Sequence, residues 1–583
     1  MTNLKGIDVA IVGGGWTGLL MAKEVTARTS LSVAVFERGG PHKTADYALG
    51  MDEVDYFIRL RMMQSIADDT ITHRHSVRDA AVPMRQYGSY LPGTGVGGSG
   101  EHWGGLCYRY LPDVFRLRSY LTERHGAARL PADLAVQDWG VTYDDLEPLY
   151  WKAEQMMGVS GKAGNLRGRK IEGGNVFEAP RQQEYPTPPL KRSYATSLFE
   201  EASRRLGYHP YPEPAATISE PYRNPDGVTR PGCAYCGYCA RFGCMIGAKA
   251  QPSNTLMPVL ARRKNFQLRT GSWVRQVVHK SGRATGIHFT DGEGREFYQP
   301  AGTVVLAGFA LSNVRLLGLS KIGTPYDPVA RKGTLGSHLT HQVQYSTRMF
   351  FDKPLNAYMG AGGLGIKFSD FDGDTGFTGS EDGLLRGGMF SVGSNGDGPI
   401  RSFGLMPGGT VKSTWGSEWK KASLEWKDRA AGINMFGEHL SYWHNFMDLD
   451  PTYTDKYGDP LLRFTMDWTD HEFKQLQFAA KIQAKLMKEM GARFDDNTPK
   501  RAKYDIVVYQ GTHIQGGAVM GPTPEHSVVN THMQHWDMPN LWVIGGSAFP
   551  QNAAPNPTLT ALAMVYRSAD AFVGNVKHPE KLV

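Results

Sequence analysis

Long apolar runs are missing from this chain, and no continuous apolar segment reaches the length that a membrane-spanning helix needs. The N-terminus, Met1-Thr-Asn-Leu-Lys5-Gly-Ile-Asp8, has neither an apolar core nor a small-residue cleavage site, so no export signal is read there. These two absences predict a cytoplasmic chain if it acts unpartnered. Also missing is a long basic run: 64 Lys and Arg are scattered among 57 Asp and Glu, and the formal charge of +7 is small for 583 residues. That excludes the electrostatic footprint of nucleic-acid binding. It leaves a modest bias toward an anionic substrate or membrane surface, with a mixed solvated surface as the default. No internal repeat or long low-complexity linker is present. Cysteine is scarce, at five residues, which makes its placement informative.

Four of the five cysteines fall in Cys233-Ala-Tyr-Cys236-Gly-Tyr-Cys239-Ala-Arg-Phe-Gly-Cys244. Short loops of this kind let three or four thiolates converge on an iron–sulfur core. Four thiolates also satisfy tetrahedral zinc, but structural zinc usually takes two knuckles separated by a longer loop. Disulfides are the third reading. Cys107 stands apart as an ordinary buried thiol. A length of 583 residues exceeds one simple core, so two domains or one large interleaved domain are expected. The hydrophobic content of 41%, charged content of 21% and mean hydropathy of −0.38 describe a globular protein.

The first interpretable unit runs from Asp8 to Glu37. Val9-Ala-Ile-Val12 reads as a buried strand, Gly13-Gly-Gly15-Trp-Thr-Gly18 as a turn entering an apolar helix, and Val33-Ala-Val-Phe36 as a second strand ending in Glu37. Gly13 permits the tight turn, Gly15 lets backbone approach a pyrophosphate, and Gly18 allows close helix–sheet packing. Glu37 is placed to bind ribose hydroxyls, which disfavours NADP but leaves NAD and FAD open. A second glycine cluster surrounds Gly97-Gly98-Ser99-Gly100-Glu101-His102-Trp103; such density forms no regular element and suits a loop hugging a flat ligand. Near the C-terminus, Gly511-Thr-His513 precedes a buried strand at Leu541, and Asn556-Pro-Thr enters an amphipathic helix. His513 is the natural general base.

Gly13 to Glu37, the glycine loop at 93–105, the segment 304–323 and the His513 and Asn556 motifs together resemble the glucose-methanol-choline (GMC) flavoprotein oxidoreductases, in the family's order and across nearly the whole chain. The resemblance implies an α/β fold: a doubly wound FAD-binding domain assembled from separated segments, with an antiparallel-sheet substrate domain inserted. On that reading residues 1–340 are mainly FAD-binding and include the cysteine segment 230–250, residues 341–505 are mainly substrate domain, and 506–583 return to the FAD domain. His513 would take the hydroxyl proton while Asn556 orients the same oxygen. The cysteine run resembles that of the flavoprotein subunits of membrane-associated bacterial sugar-acid and polyol dehydrogenases. This implies a 3Fe-4S centre on Cys233, Cys239 and Cys244, with Cys236 spare or a fourth ligand. His102, in Glu-His-Trp, resembles a histidine joined covalently to the flavin in sugar-oxidising relatives.

Such relatives further imply a sugar acid or polyol substrate, gluconate first. They also imply a cytochrome c partner and a small subunit whose export signal carries the chain to the periplasm, with membrane association through partners only. An oxygen-using oxidase with zinc, and a non-enzymatic flavin/iron–sulfur sensor, are the other readings. Glycine density between Met359 and Gly409 points to loops between strands. Ser441 to Asp450 resembles a substrate-domain strand reaching over the flavin, and Glu438 and His444 are weaker site candidates, with a packed or solvated role favoured for both.

Overall fold

The fold is taken from a computed structural model, which describes residues 1–48, 52–356, 360, 365–374, 383–393, 399–495 and 497–576. Strand β1 (Ile7–Val12) leads through the glycine turn into helix α1 (Trp16–Arg28) and back to β2 (Val33–Phe36), parallel to β1. The apolar runs explain the placement: Val9, Ala10 and Ile11 are fully buried, and α1 buries Leu19, Leu20, Met21, Ala22 and Val25 against them. After more than two hundred residues the chain returns with β3 (Phe266–Arg269), which extends the sheet beyond β2. An antiparallel meander follows, of β4 (Trp273–Lys280), β5 (Arg283–Thr290) and β6 (Glu296–Leu306). The first half of β6 pairs with β5; its second half, Ala301–Leu306, lies between β1 and the C-terminal strand Leu541–Val543, parallel to both. This sheet is therefore built from three separated segments of sequence.

The second large sheet is antiparallel. It comprises β7 (Thr340–Phe350), β8 (Ile366–Phe368), β9 (Gly388–Val392), β10 (Ala430–Gly437) and β11 (Gln510–Gln515), with β7 between β10 and β11. Strands β10, β9 and β8 follow in space and end at Tyr211–Pro212. The period of two in a strand decides its faces. Ala431, Ile433 and Met435 join Val343, Tyr345, Phe368 and Phe390 in a core covered by helices Tyr194–Arg205 and Asp470–Glu489. The intervening Gly432, Asn434 and Phe436, with Gln344, Ser346 and Arg348, face a cavity.

Two expectations change. Strands β8 and β9 lie within the glycine-rich stretch 359–409, of which 359, 361–364, 375–382 and 394–398 fall outside the described residues. The segment Ser441–Asn445 does not reach over the cavity. Ala135 N–H donates to Ser441 O (2.8 Å) and Trp443 N–H to Asp133 O (3.0 Å), which turns it toward the 133–135 loop, and the strand that follows, Phe446–Thr454, joins a separate four-stranded sheet. Among the described residues, no helix is long and apolar enough to cross a membrane.

Candidate active site

One continuous cavity of about 940 Å³ runs from the first glycine turn to the polar face of the antiparallel sheet. At one end stand Gly13, Gly15 and Glu37. Gly13 has φ +106°, and a Cβ there would meet Ala307 O at 2.5 Å, so the turn admits only glycine. Gly18 lies one turn behind the cavity wall, where a Cβ would meet Gly13 O at 2.1 Å, which is how α1 approaches the strand ends so closely. No side chain caps α1 and no acid sits in its first turn, so its N-terminal N–H groups are left for an anion. Each Glu37 carboxylate oxygen accepts one backbone N–H, from Gly14 and from Gly39, both at 2.9 Å, and retains capacity for a ligand hydroxyl.

The second glycine loop closes on the first: Gly97 N–H donates to Gly14 O at 2.6 Å, and Gly15 and Gly97 form a bridge. Gly97, Gly98, Ser99, His102 and Trp103 all line the cavity. His102 ends the short helix Ser99–His102 and is buried, with Nε2 lacking any partner. Burial, then the nearby Lys249 ammonium, holds its pKa down to about 3, so the ring is a neutral nucleophile. An uncharged, unpartnered nitrogen on a residue of the glycine-lined cavity fits attachment or hydrogen bonding to a flat cofactor. Glycine cradle, uncapped helix and Glu37 fit the pyrophosphate and ribose of FAD.

His513 and Asn556 converge in the same cavity, where Asn556 Nδ2 lies 3.2 Å from His513 Nε2. A residue that sequence motifs missed orients the ring. Gln342 on β7 spends its amide N–H groups on Ala553 O (3.0 Å) and Ala554 O (2.7 Å), which turns its Oε1 toward His513 Nδ1 at 2.6 Å. An oxygen there accepts, so Nδ1 carries the proton and Nε2 keeps its lone pair, the tautomer a proton acceptor requires. Asn552 Nδ2 donates to the His513 carbonyl at 2.9 Å and fixes the backbone. Burial pushes the His513 pKa down to about 4, with the Lys367 charge acting in the same direction. Asn556 Oδ1 is buried without a partner, so the pair His513 Nε2 and Asn556 offers one acceptor and one amide to a hydroxyl.

Glu438 and His444 stand outside the cavity. Glu438 is buried in a bidentate pair with Arg386 (2.8 and 2.7 Å), and His444 is paired with Asp133. All five cysteines are unbridged, which sets the disulfide reading aside. Cys107 is buried with its Sγ on Gly105 O. Around Cys233–Cys244 the backbone coils through the left-handed region at Tyr235, Gly237 and Arg241 (φ 54°, 87° and 73°). Cys233 packs against the clusters of both Cys239 and Cys244. The N–H of Tyr235 donates to Cys233 Sγ (3.3 Å) and that of Lys249 to Cys244 Sγ (3.4 Å). Among the described residues, however, no three His, Cys, Asp or Glu side chains stand together in a metal-holding group. The donor chemistry thus suits a thiolate-held cluster, while the ligand set is not drawn together. The loop touches the cavity directly, since Arg241 N–H donates to His102 O at 2.6 Å. Lys249 ties the two by donating to Trp103 O (2.7 Å), Cys239 O (2.8 Å) and Phe242 O (2.8 Å).

The family model "GMC oxidoreductase" matches residues 225–343 and 442–564. The gluconate 2-dehydrogenase flavoprotein of Pantoea cypripedii is 39% identical over 595 residues, covering 100% of this chain and 96% of that protein. The fructose dehydrogenase large subunit of Gluconobacter japonicus is 26% identical, covering 98% of each. Among solved structures, pyridoxine 4-oxidase from Mesorbium loti shares the fold with a TM-score of 0.62 at 16% identity, over 97% of this chain and 99% of that one. The protein is an FAD-dependent oxidoreductase acting on an alcohol group. It belongs to the GMC oxidoreductase family.

Proposed function

We propose that the chain oxidises the 2-hydroxyl of gluconate, or of a closely related sugar acid or polyol, to the ketone. The observation that carries the reading is the His513–Gln342–Asn556 arrangement facing the FAD cradle across one cavity. The substrate hydroxyl would bind between His513 Nε2 and Asn556. His513 accepts the hydroxyl proton as the C–H bond yields its hydride and the carbon–oxygen double bond forms. Asn556 Nδ2 holds the oxygen while negative charge develops on it. FAD, when bound, supplies the hydride acceptor, held by Gly13, Gly15, Glu37, Gly97, Gly98, Ser99 and Trp103 and attached through His102. That attachment is supported by the orphaned, neutral His102 Nε2.

Cys233, Cys239 and Cys244, with Cys236 spare or a fourth ligand, would hold a 3Fe-4S cluster, which when bound supplies a one-electron outlet. The contact of the cysteine loop with His102 and the N–H···S bonds to Cys233 and Cys244 support this role. A cytochrome c subunit would receive the electrons, and a small subunit bearing an export signal would bring the chain to the periplasmic face of the membrane. Likeness to the Pantoea flavoprotein supports both. The test is an anaerobic assay of the isolated complex against gluconate, 2-ketogluconate, sorbitol, fructose and glucose, with iron and acid-labile sulfide measured on the same sample. Gluconate should give the highest kcat/KM, and iron should be accompanied by sulfide. Reduction by none of these compounds would refute the substrate class, and stoichiometric zinc without sulfide would refute the relay.

A further inference from the structure

Two lysines are buried near the cavity, and they use their hydrogen-bonding groups in opposite ways. The Lys249 ammonium makes three hydrogen bonds to backbone carbonyls, one for each N–H it carries. Lys367 on β8 is as deeply buried, at 0% exposure, yet its Nζ makes no hydrogen bond. Its charge is balanced by Glu213, whose carboxylate lies 3.6 Å away, beyond hydrogen-bond length. A buried ammonium without a hydrogen bond carries a desolvation cost that the Glu213 charge offsets in part, and a further hydrogen-bonding ligand would lower it.

The sheet register shows where Lys367 points. Directly paired residues of antiparallel strands project to the same face. Ser346 pairs with Asn434, Asn434 with Ser391, and Ser391 with Lys367, so Lys367 ends a polar row whose first two members line the cavity. Its Nζ lies between two rings, 4.3 Å from the centre of Tyr108 and 4.9 Å from that of Phe436, and Phe436 is itself a cavity residue. The Lys367 charge also acts on His513, lowering its pKa. Lys367 lies behind Phe436 and not in the cavity lining itself, so an anionic group next to the reacting carbon would reach the ammonium where the Phe436 ring turns aside. In a 2-hydroxy acid the carboxylate is bonded directly to that carbon.

We propose that Lys367 receives the carboxylate of the substrate and makes the site selective for hydroxy acids over their neutral analogues. The inference rests on the alcohol-oxidising reading of the same cavity and names the substrate class for it. Burial raises the Glu213 carboxyl above the ordinary carboxylate range, which eases its protonation when a second carboxylate approaches the ammonium.

The test compares gluconate with gluconamide, which keeps the hydroxyls and loses the charge, on the FAD-loaded complex. Wild-type enzyme should favour gluconate in kcat/KM by about tenfold to a hundredfold, the worth of a buried charged hydrogen bond. Lys367→Met should raise the KM for gluconate by that factor, leave gluconamide nearly unchanged and erase the preference, while Lys367→Arg should restore part of it. A merely structural Lys367–Glu213 pair would move both substrates together, and that result overturns the proposal. Should the variants fail to retain FAD, wild-type enzyme titrated with 2-deoxygluconate and its amide, read by the flavin absorbance, decides. Tighter binding of the acid supports Lys367, and equal affinity refutes it. If wild-type enzyme oxidises neither gluconate nor gluconamide, the alcohol-oxidation reading itself falls.

Discussion

A single amide sets the chemistry of the histidine beside it. Gln342 presents oxygen to His513 because its N–H groups are committed to two backbone carbonyls. Replacing it by leucine leaves the buried Nδ1–H unpaired, at a cost of about 1–3 kcal/mol, and frees the ring to change tautomer. We expect Gln342→Leu to slow flavin reduction by roughly tenfold to a hundredfold with little change in flavin content. The wild-type pH profile sharpens this test. Because burial holds His513 near 4, the acceptor stays neutral at pH 7 and rates should fall only as acid approaches that value. Loss of the Gln342 acceptor should lower the plateau at every pH, and an unchanged plateau would remove Gln342 from the mechanism. His513 and Asn556 were legible in the sequence from their motifs. Gln342 was not, since the hydrogen bond joins residues 171 positions apart. The alternation of polar Gln342, Gln344, Ser346 and Arg348 with buried Val343, Tyr345 and Met349 is the trace it leaves.

At the scale of elements, the strand–turn–helix from Ile7 to Phe36 was readable because its cause is local: four buried strand residues, a glycine turn and an apolar helix. Close approach of α1 depends on Gly18, where even a methyl group would strike the Gly13 carbonyl at 2.1 Å. Gly18→Ala should therefore cost about 1–3 kcal/mol from overpacking and lower the flavin content of purified protein, as read by thermal melting and the ratio of visible to ultraviolet absorbance. Unchanged melting and full flavin would show that the helix can move away. Strand β10 carries its pattern in the open, with Ala431, Ile433 and Met435 buried and Gly432, Asn434 and Phe436 turned to the cavity. Strands β8 and β9 were hidden by the glycines around them. The Ser441–Asn445 segment was misplaced because its hydrogen bonds to Asp133 and Ala135 are set by a distant loop. For the cysteine loop, spacing leads to the expectation of a cluster, whereas among the described residues no three metal-ligating side chains stand together. The loop's contact with the carbonyl of His102 is a tertiary fact no spacing encodes.

For the molecule as a whole, function depends on three separated segments of the chain meeting in one cavity. The glycine turns come from the first 105 residues, Gln344, Ser346 and Asn434 from the antiparallel sheet, and His513 with Asn556 from the last eighty. The doubly wound and antiparallel architecture was legible through the order of motifs, because each lies in a local pattern of strand, turn and helix. The polar face that closes the cavity was not, because sheet register alone places Lys367 beside Ser391 and Asn434. The central claim is that His513 takes the hydroxyl proton of the substrate in this cavity. The most direct measurement is anaerobic rapid mixing of the FAD-loaded complex with gluconate, following flavin bleaching in wild type and in His513→Ala. Bleaching in wild type should keep pace with turnover and be slower by on the order of a hundredfold or more in the variant, at equal flavin content. Bleaching of the variant at the wild-type rate would contradict the account.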